Sequence, residues 1–331
     1  MKRLPVLLAF SLAAAGCGAQ PQLLGTEGKY LLTARDVLAL PGEEVSLVAR
    51  LQGGDFLQDQ PGYVMRFERL EDRSAVRAAQ TDEEGKAVVT WTPDVPGDTE
   101  FEVGPAPAGF EDAPPEPQTL LVACRAADEP IAVVDLDKTL VASGFQAVLL
   151  GDPKPMPHST RMVEQLSREH TIVYLTHRPE YFGPKSKAWL RRQGYPRGPV
   201  LLSTATGFLK GSGAYKTQAL AELGKRFTHL RVGIGDKPSD AMAYHDNGMT
   251  SILVFHMPAG EDPEPLAKLA EEIGNLAETV HVVTDWQEVG KVLFEGASFP
   301  PERIRKRLAD KVVELEARAA AGDGEEPGEQ P

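Results

Sequence analysis

Two cysteines in 331 residues, Cys17 and Cys124, leave no disulfide framework and no thiolate zinc cluster to hold this chain together. Its stability must come from burial, and an apolar fraction of 42% with 25% charged residues is ordinary for a soluble globular protein long enough for two domains. A basic excess is equally missing. The formal net charge of −13 argues against a nucleic-acid binder, which needs a cationic face to displace counterions from phosphates. Part of that acidity is local, in the C-terminal tail, and a single pocket with a bound metal and a few placed Lys or Arg residues still accommodates a polyanion. Long apolar runs are also missing: Leu4–Ala15 is shorter than the ~20 residues a membrane-spanning helix requires, and no later segment approaches that length.

The N-terminus pairs a basic MKR with that short apolar stretch, then Gly16 and Cys17, which reads as a secretory signal peptide over residues 1–19. AAGC resembles the lipobox of bacterial lipoproteins, with Cys17 as the acylated first mature residue, although Ala14 stands where that family usually has Leu. The resemblance implies an exported protein lipid-anchored to the cell envelope; a cut after Ala19 would release it instead. Cys124, inside LLVAC, reads as a small buried hydrophobe, with a Cys17–Cys124 bond as the remaining alternative.

Residues 26–125 contain short alternating runs (YLLTA, EVSLVARL, YVMRFERL, AVVTWTP, TEFEVG) separated by PGEE, QGGD, DEEGK and DVPGD. Strands and turns at this spacing predict an antiparallel sandwich, and TDEEGKAVVTWTPDVPGDTEFEV resembles the closing strands of bacterial immunoglobulin-like domains. Nothing there has catalytic spacing, and Trp91 is expected to pack in the core. The part reads as a spacer or adhesion module. A Pro-, Gly- and acid-rich stretch, Gly104–Gln118, precedes a last strand QTLLVACR, and the boundary falls near Ala126–Pro130.

From residue 130 to 298 strands alternate with helices, the pattern of a parallel sheet with crossover helices. The expected strands are IAVVDLD, TIVYLTH, PVLLS, RVGIGD, SILVFH and VHVVT. A C-terminal amphipathic helix over 299–318 is expected to pack on this part, and 319–331, without large apolar residues, to be disordered. The polar residues ending the strands, Asp135, Asp137, Thr176, Ser203 and Asp236, converge on one sheet edge. Asp135 and Asp137, two residues apart on an extended chain, would lie about 6–7 Å from each other and point the same way, repelling unless something positive sits between them.

These motifs together resemble the haloacid dehalogenase superfamily of phosphatases: DxDxT at Asp135, Asp137 and Thr139; a strand ending in Thr176; a Lys best matched by Lys216, with Lys210 close by; and GDxxxD at Gly235, Asp236 and Asp240. The resemblance implies a three-layer Rossmann-like α/β fold with a minimal cap. It implies Asp135 as nucleophile through an aspartyl-phosphate and Asp137 as general acid and base. Thr176 and Lys216 would bind phosphate oxygens. Mg2+ would be held by Asp135, the Asp137 carbonyl, Asp236 and Asp240. His177, Arg178 and Lys237 are candidate substrate-rim residues.

Within the superfamily, DLDKTLVAS, YLTHRPEYFGPKSKAWL and GIGDKPSDAMAY are similar to the lipin-type phosphatidate phosphatase domain and the C-terminal domain of membrane-associated phosphatidylinositol transfer proteins. Those relatives commonly have Asn where this chain has Asp236. The resemblance implies a lipid phosphate such as phosphatidate as substrate and a membrane as partner. A non-catalytic phosphatidate-binding module and an envelope adhesion protein remain as alternatives.

Overall fold

The computed structural model describes residues 29–322 apart from 55–56, 74–75, 107–109, 111–112, 144–151, 205–207, 209–210 and 261. The expected signal peptide over residues 1–19 with Cys17, together with Lys210 and residues 323–331, therefore lies outside the described residues. No helix among the described residues is long and apolar enough to cross a membrane.

The first part is all β: β1 (Tyr30–Ala34), β2 (Val37–Ala39), β3 (Val45–Gly53), β4 (Gln58–Asp59), β5 (Val64–Arg69), β6 (Val76–Gln80), β7 (Lys86–Trp91), β8 (Gly97–Pro105) and β9 (Gln118–Cys124). One sheet joins β1, β3, β4 and β7; the other runs β2-β9-β8-β5-β6. Period-two alternation explains their facing. Along β3, Val45, Leu47, Ala49 and Leu51 turn inward, against Met65, Phe67, Phe101, Val103, Leu120 and Val122 of the other sheet. Trp91 packs edge-on to Phe101, 5.3 Å between centroids.

One pairing corrects the antiparallel expectation: β2 lies parallel to β9. The chain leaves the first sheet after Ala34 and joins the second at Val37. At the crossing, Asp36 Oδ1 accepts the Leu121 N–H at 2.9 Å, so the ladder keeps a partner there.

The second part carries β10 (Ile131–Val134), β11 (Thr171–Pro179), β12 (Val200–Ser203), β13 (Leu230–Gly235), β14 (Thr250–Val254) and β15 (His281–Val283). Its helices are α1 (Ser159–Leu166), α2 (Gly183–Arg192), α3 (Ser212–Gly224), α4 (Pro238–Asp246), α5 (Pro263–Gly274), α6 (Trp286–Glu295) and α7 (Glu302–Gly322). All six strands are parallel, in the order β12-β11-β10-β13-β14-β15. The strand order reverses between β10 and β13, and in open α/β sheets ligands bind at such a switch point, beyond the strands' carboxyl ends.

Central β10 is buried on both faces, which is why its sequence does not alternate. Ala132 and Val134 face Val163 of α1, Trp189 of α2 and Trp286 of α6. Ile131 and Val133 face Leu220 of α3, Tyr244 of α4, and also Leu38, Leu121 and Ala123 of the β part. The β part is thus seated on the α/β part, where the sequence reading has a spacer. Helix α7 packs Ile304, Leu308 and Leu315 against α5 and the sheet, and it runs four residues past the expected end at Arg318.

Candidate active site

The carboxyl ends of β10 and β13 bring the acids together. Register pairs Val134 with Ile234, and the Asp135 N–H donates to the Ile234 carbonyl at 2.9 Å. Asp135 and Asp236 therefore leave adjacent strands side by side. Asp240 lies in the first turn of α4 and folds back onto Gly235, where a Cβ would stand 2.8 Å from the Asp240 Cβ. That contact explains the glycine before Asp236.

Oxygen atoms of Asp135, Asp236 and Asp240 all lie within 4.8 Å of one another. Lys216, 1% exposed, reaches in from α3: its Nζ stands 3.1 Å from Asp135 Oδ1 and 2.6 Å from Asp240 Oδ2. Burial lowers the affinity of this amine for a proton, but Asp135 and Asp240 outweigh it and hold Lys216 charged well above the usual lysine range. Burial pushes the Asp135 carboxyl up to about 7, opposed by Lys216 and reinforced by Asp240, Asp236 and Asp137. Asp236 is likewise raised, by burial first and then by Asp240. Three crowded acids with one lysine are short of positive charge.

This set fits a hard divalent cation. All the ligands are oxygens, as Mg2+ prefers, and Asp240 Oδ1 is buried without a hydrogen-bond partner, an atom a cation would satisfy.

Asp137 lies outside the trio. Arg178 grips it with Nε to Oδ2 at 2.9 Å and Nη2 to Oδ1 at 2.8 Å, while Nη1 donates to Ser186 Oγ at 2.9 Å. Arg178 is 2% exposed, so its rim assignment is corrected: the guanidinium fork matches a carboxylate bidentately, and that match draws it inward. Thr176 is buried, its Oγ1 accepting the Arg178 N–H at 3.3 Å. His177 stacks on Phe208 with centroids 4.8 Å apart. Lys237 is exposed beside Asp236.

Two residues were not singled out from sequence. Ser186 anchors Arg178. Lys138, exposed, has φ 55, a left-handed conformation costing a non-glycine residue about 1–2 kcal/mol. A cleft of 270 Å³ between the two parts, lined by Asp36, Tyr215 and Leu223 among others, is separate from the carboxylate trio.

The family model described as the LNS2 domain of PITM 1-3 matches residues 132–257, the stretch that holds every residue of this site. Comparison with curated proteins gives no match. Among solved structures, the D00-D0 domain of intimin is similar at 20% identity and TM-score 0.23, over 30% of this chain and 48% of that one, so the chain spans about half of that structure. A CARDB domain from Pyrococcus furiosus is similar at 11% identity and TM-score 0.22, over 30% and 89%. Chimeric titin Z1Z2 is similar at 16% identity and TM-score 0.20, over 30% and 97%. Scores this low carry no further reading.

Proposed function

We propose that the α/β part is a Mg2+-dependent phosphatase of the haloacid dehalogenase type that hydrolyses phosphomonoesters, with phosphatidate or a related lipid phosphate as its substrate. The observation that carries the reading is the meeting of Asp135, Asp236, Asp240 and Lys216 at the switch point, with Asp137 held two residues beyond the nucleophile. The match to the LNS2 family model supports a lipid phosphate. A phosphate-binding module without turnover is the rival reading; the presence of both Asp135 and Asp137 favours turnover.

In this mechanism an Asp135 carboxylate oxygen attacks phosphorus, and the bond to the leaving oxygen breaks. Asp137 gives that oxygen its proton, and in the second step takes one from the water that releases phosphate from Asp135. Asp135, the Asp137 carbonyl, Asp236 and Asp240 would hold Mg2+, which would supply the positive charge that offsets carboxylates and phosphate. Lys216 and the Thr176 hydroxyl bind phosphate oxygens, and Arg178 fixes the Asp137 rotamer. Among the described residues no separate cap covers these groups, which suits a bulky or membrane-borne phosphate.

We further propose that the protein resides at the cell envelope, anchored through an acylated Cys17, with the β part as an immunoglobulin-like module next to the catalytic domain. Purified mature protein with Mg2+ is to be assayed on an aryl phosphate, phosphatidate and a soluble phosphate panel beside Asp135→Asn. Phosphate release that vanishes in the variant and in EDTA is expected. No Asp135-dependent release from any substrate ends the phosphatase reading, and failure of both palmitate labelling at Cys17 and globomycin-sensitive processing removes the anchor.

A further inference from the structure

The turn after Asp137 holds a residue its geometry does not require. Lys138 sits at φ 55, where glycine is the unstrained choice. The turn is fixed by backbone groups. The Lys138 carbonyl accepts from His256 Nε2 at 2.6 Å, the Thr139 carbonyl accepts from Trp286 Nε1 at 2.8 Å, and the Leu140 and Val141 N–H groups donate to the Leu136 carbonyl at 2.9 Å. Glycine would keep every one of these bonds. The lysine side chain itself is exposed, and none of the ion pairs among the described residues engages its ammonium or that of Lys237.

Lys237 stands on the neighbouring strand end, extended at φ −116 and exposed, directly after Asp236. Lys138 directly follows Asp137 beyond β10, and Lys237 directly follows Asp236 beyond β13, two strands paired at Val134 and Ile234. Two exposed cations thus follow the acids at the carboxyl ends of adjacent strands, in a chain whose net charge of −13 repels anions. Backbone strain kept beside reacting groups calls for a functional reason.

We infer that Lys138, paired with Lys237, forms a cationic collar that receives the dianionic phosphate of the substrate before it reaches Asp135, so that Lys138 is a specificity-determining residue kept at a strained position. This rests on the phosphatase reading of the same site. The ligand chemistry is a phosphomonoester dianion, from a soluble ester or a lipid headgroup. Such a collar acts on capture, and its effect falls on KM more than on kcat.

The test is Lys138→Gly in the full mature chain, with Lys138→Arg beside it. Removing the strain is expected to raise Tm by about 2–4 °C. Affinity for inorganic phosphate, by calorimetry with Mg2+ present, is expected to fall about 5–10-fold, with KM for an aryl phosphate rising by a similar factor and kcat changing less than about twofold. Lys138→Arg should restore affinity. The same loss on an aryl phosphate and on phosphatidate in neutral micelles identifies the headgroup phosphate as the ligand. Unchanged phosphate affinity in Lys138→Gly, or a loss seen only with phosphatidylserine vesicles, overturns the collar. Phosphate binding that depends on Lys138 in a protein without Asp135-dependent turnover would leave the collar standing while the phosphatase reading fails.

Discussion

At the residue scale the site is an arrangement of charge shortages. Asp240 is buried with one oxygen on Lys216 and the other unpartnered, and its position depends on the absent side chain of Gly235. Gly235→Ala would force the new methyl against Asp240 where helix and strand leave no slack. Overpacking of this kind costs typically 1–3 kcal/mol. The expected outcome is a lower Tm together with weaker Mg2+ binding by calorimetry; a stable variant with unaltered Mg2+ affinity would show that Asp240 does not depend on this contact. Arg178 offers a second measurement. Its fork fixes Asp137, so Arg178→Ala should slow alkyl phosphates, whose leaving oxygen needs a proton, far more than a nitrophenyl phosphate, whose leaving group does not. A truncation that slows both equally would assign Arg178 to phosphate binding instead.

At the element scale, Glu288 ties α6 to α7 and to the residue after β15. It receives Arg303 Nη1 at 2.6 Å and Nη2 at 2.8 Å, and the Thr284 N–H at 2.7 Å. The Arg303 fork, against burial and with help from Thr284, holds the Glu288 carboxyl down at about 2. A carboxyl depressed on folding adds stability that is full above its unfolded value, near 4.3, and is lost as pH falls through about 2. Glu288→Gln is therefore expected to lower stability at pH 7 by about 1.5–3 kcal/mol, with the gap to wild type closing between about pH 4.3 and 2. Urea titrations across that range check it, and a gap independent of pH would assign the loss to packing.

Much at this scale was legible in the chain. Apolar runs mark the six parallel strands, and helical periodicity marks α7, because burial imposes their pattern directly. Strands β2, β4 and β6 were not, since three or two residues, or the exposed edge VRAAQ, carry no alternation. Helix α6 had signals in its capping Asp285, whose side chain accepts from the Gln287 and Glu288 N–H groups, and in the left-handed Gly296 that ends it, but the interior Gly290 weakens its helical reading. For the site, the strand ends nominate Asp135 and Asp236, and the family resemblance adds Lys216 and Asp240. The inward turn of Arg178 was invisible, because its partners Asp137 and Ser186 are 41 and 8 residues away in sequence and only the fold brings them together.

At the scale of the whole molecule, the two parts are joined by a buried charge. The Asp36 side chain is 3% exposed and receives Lys187 Nζ at 2.6 Å, the Leu121 N–H at 2.9 Å and the Val200 N–H at 3.0 Å. Lys187 in turn donates to the Ala34 carbonyl at 2.8 Å and the Thr119 carbonyl at 3.0 Å. The acid belongs to the β part and the lysine to α2, so the network crosses the junction with few polar groups unsatisfied. Around it, Arg226 reaches from after α3 to the Leu38 carbonyl at 2.7 Å, and Arg125 Nε to Thr171 Oγ1 at 2.7 Å. Removing one member of a buried pair strands the other, a loss of about 3–5 kcal/mol, whereas replacing both by apolar groups is far milder. Lys187→Met is therefore expected to lower the stability of the junction enough that calorimetry resolves two transitions where wild type shows one. Adding Asp36→Leu to Lys187→Met should recover only part of that, since the Leu121 and Val200 N–H groups then lose their acceptor. If Lys187→Met still melts in one transition at the wild-type temperature, this pair does not hold the junction; a shared transition lost in the variant makes the β part a structural wall of the α/β part that carries the site.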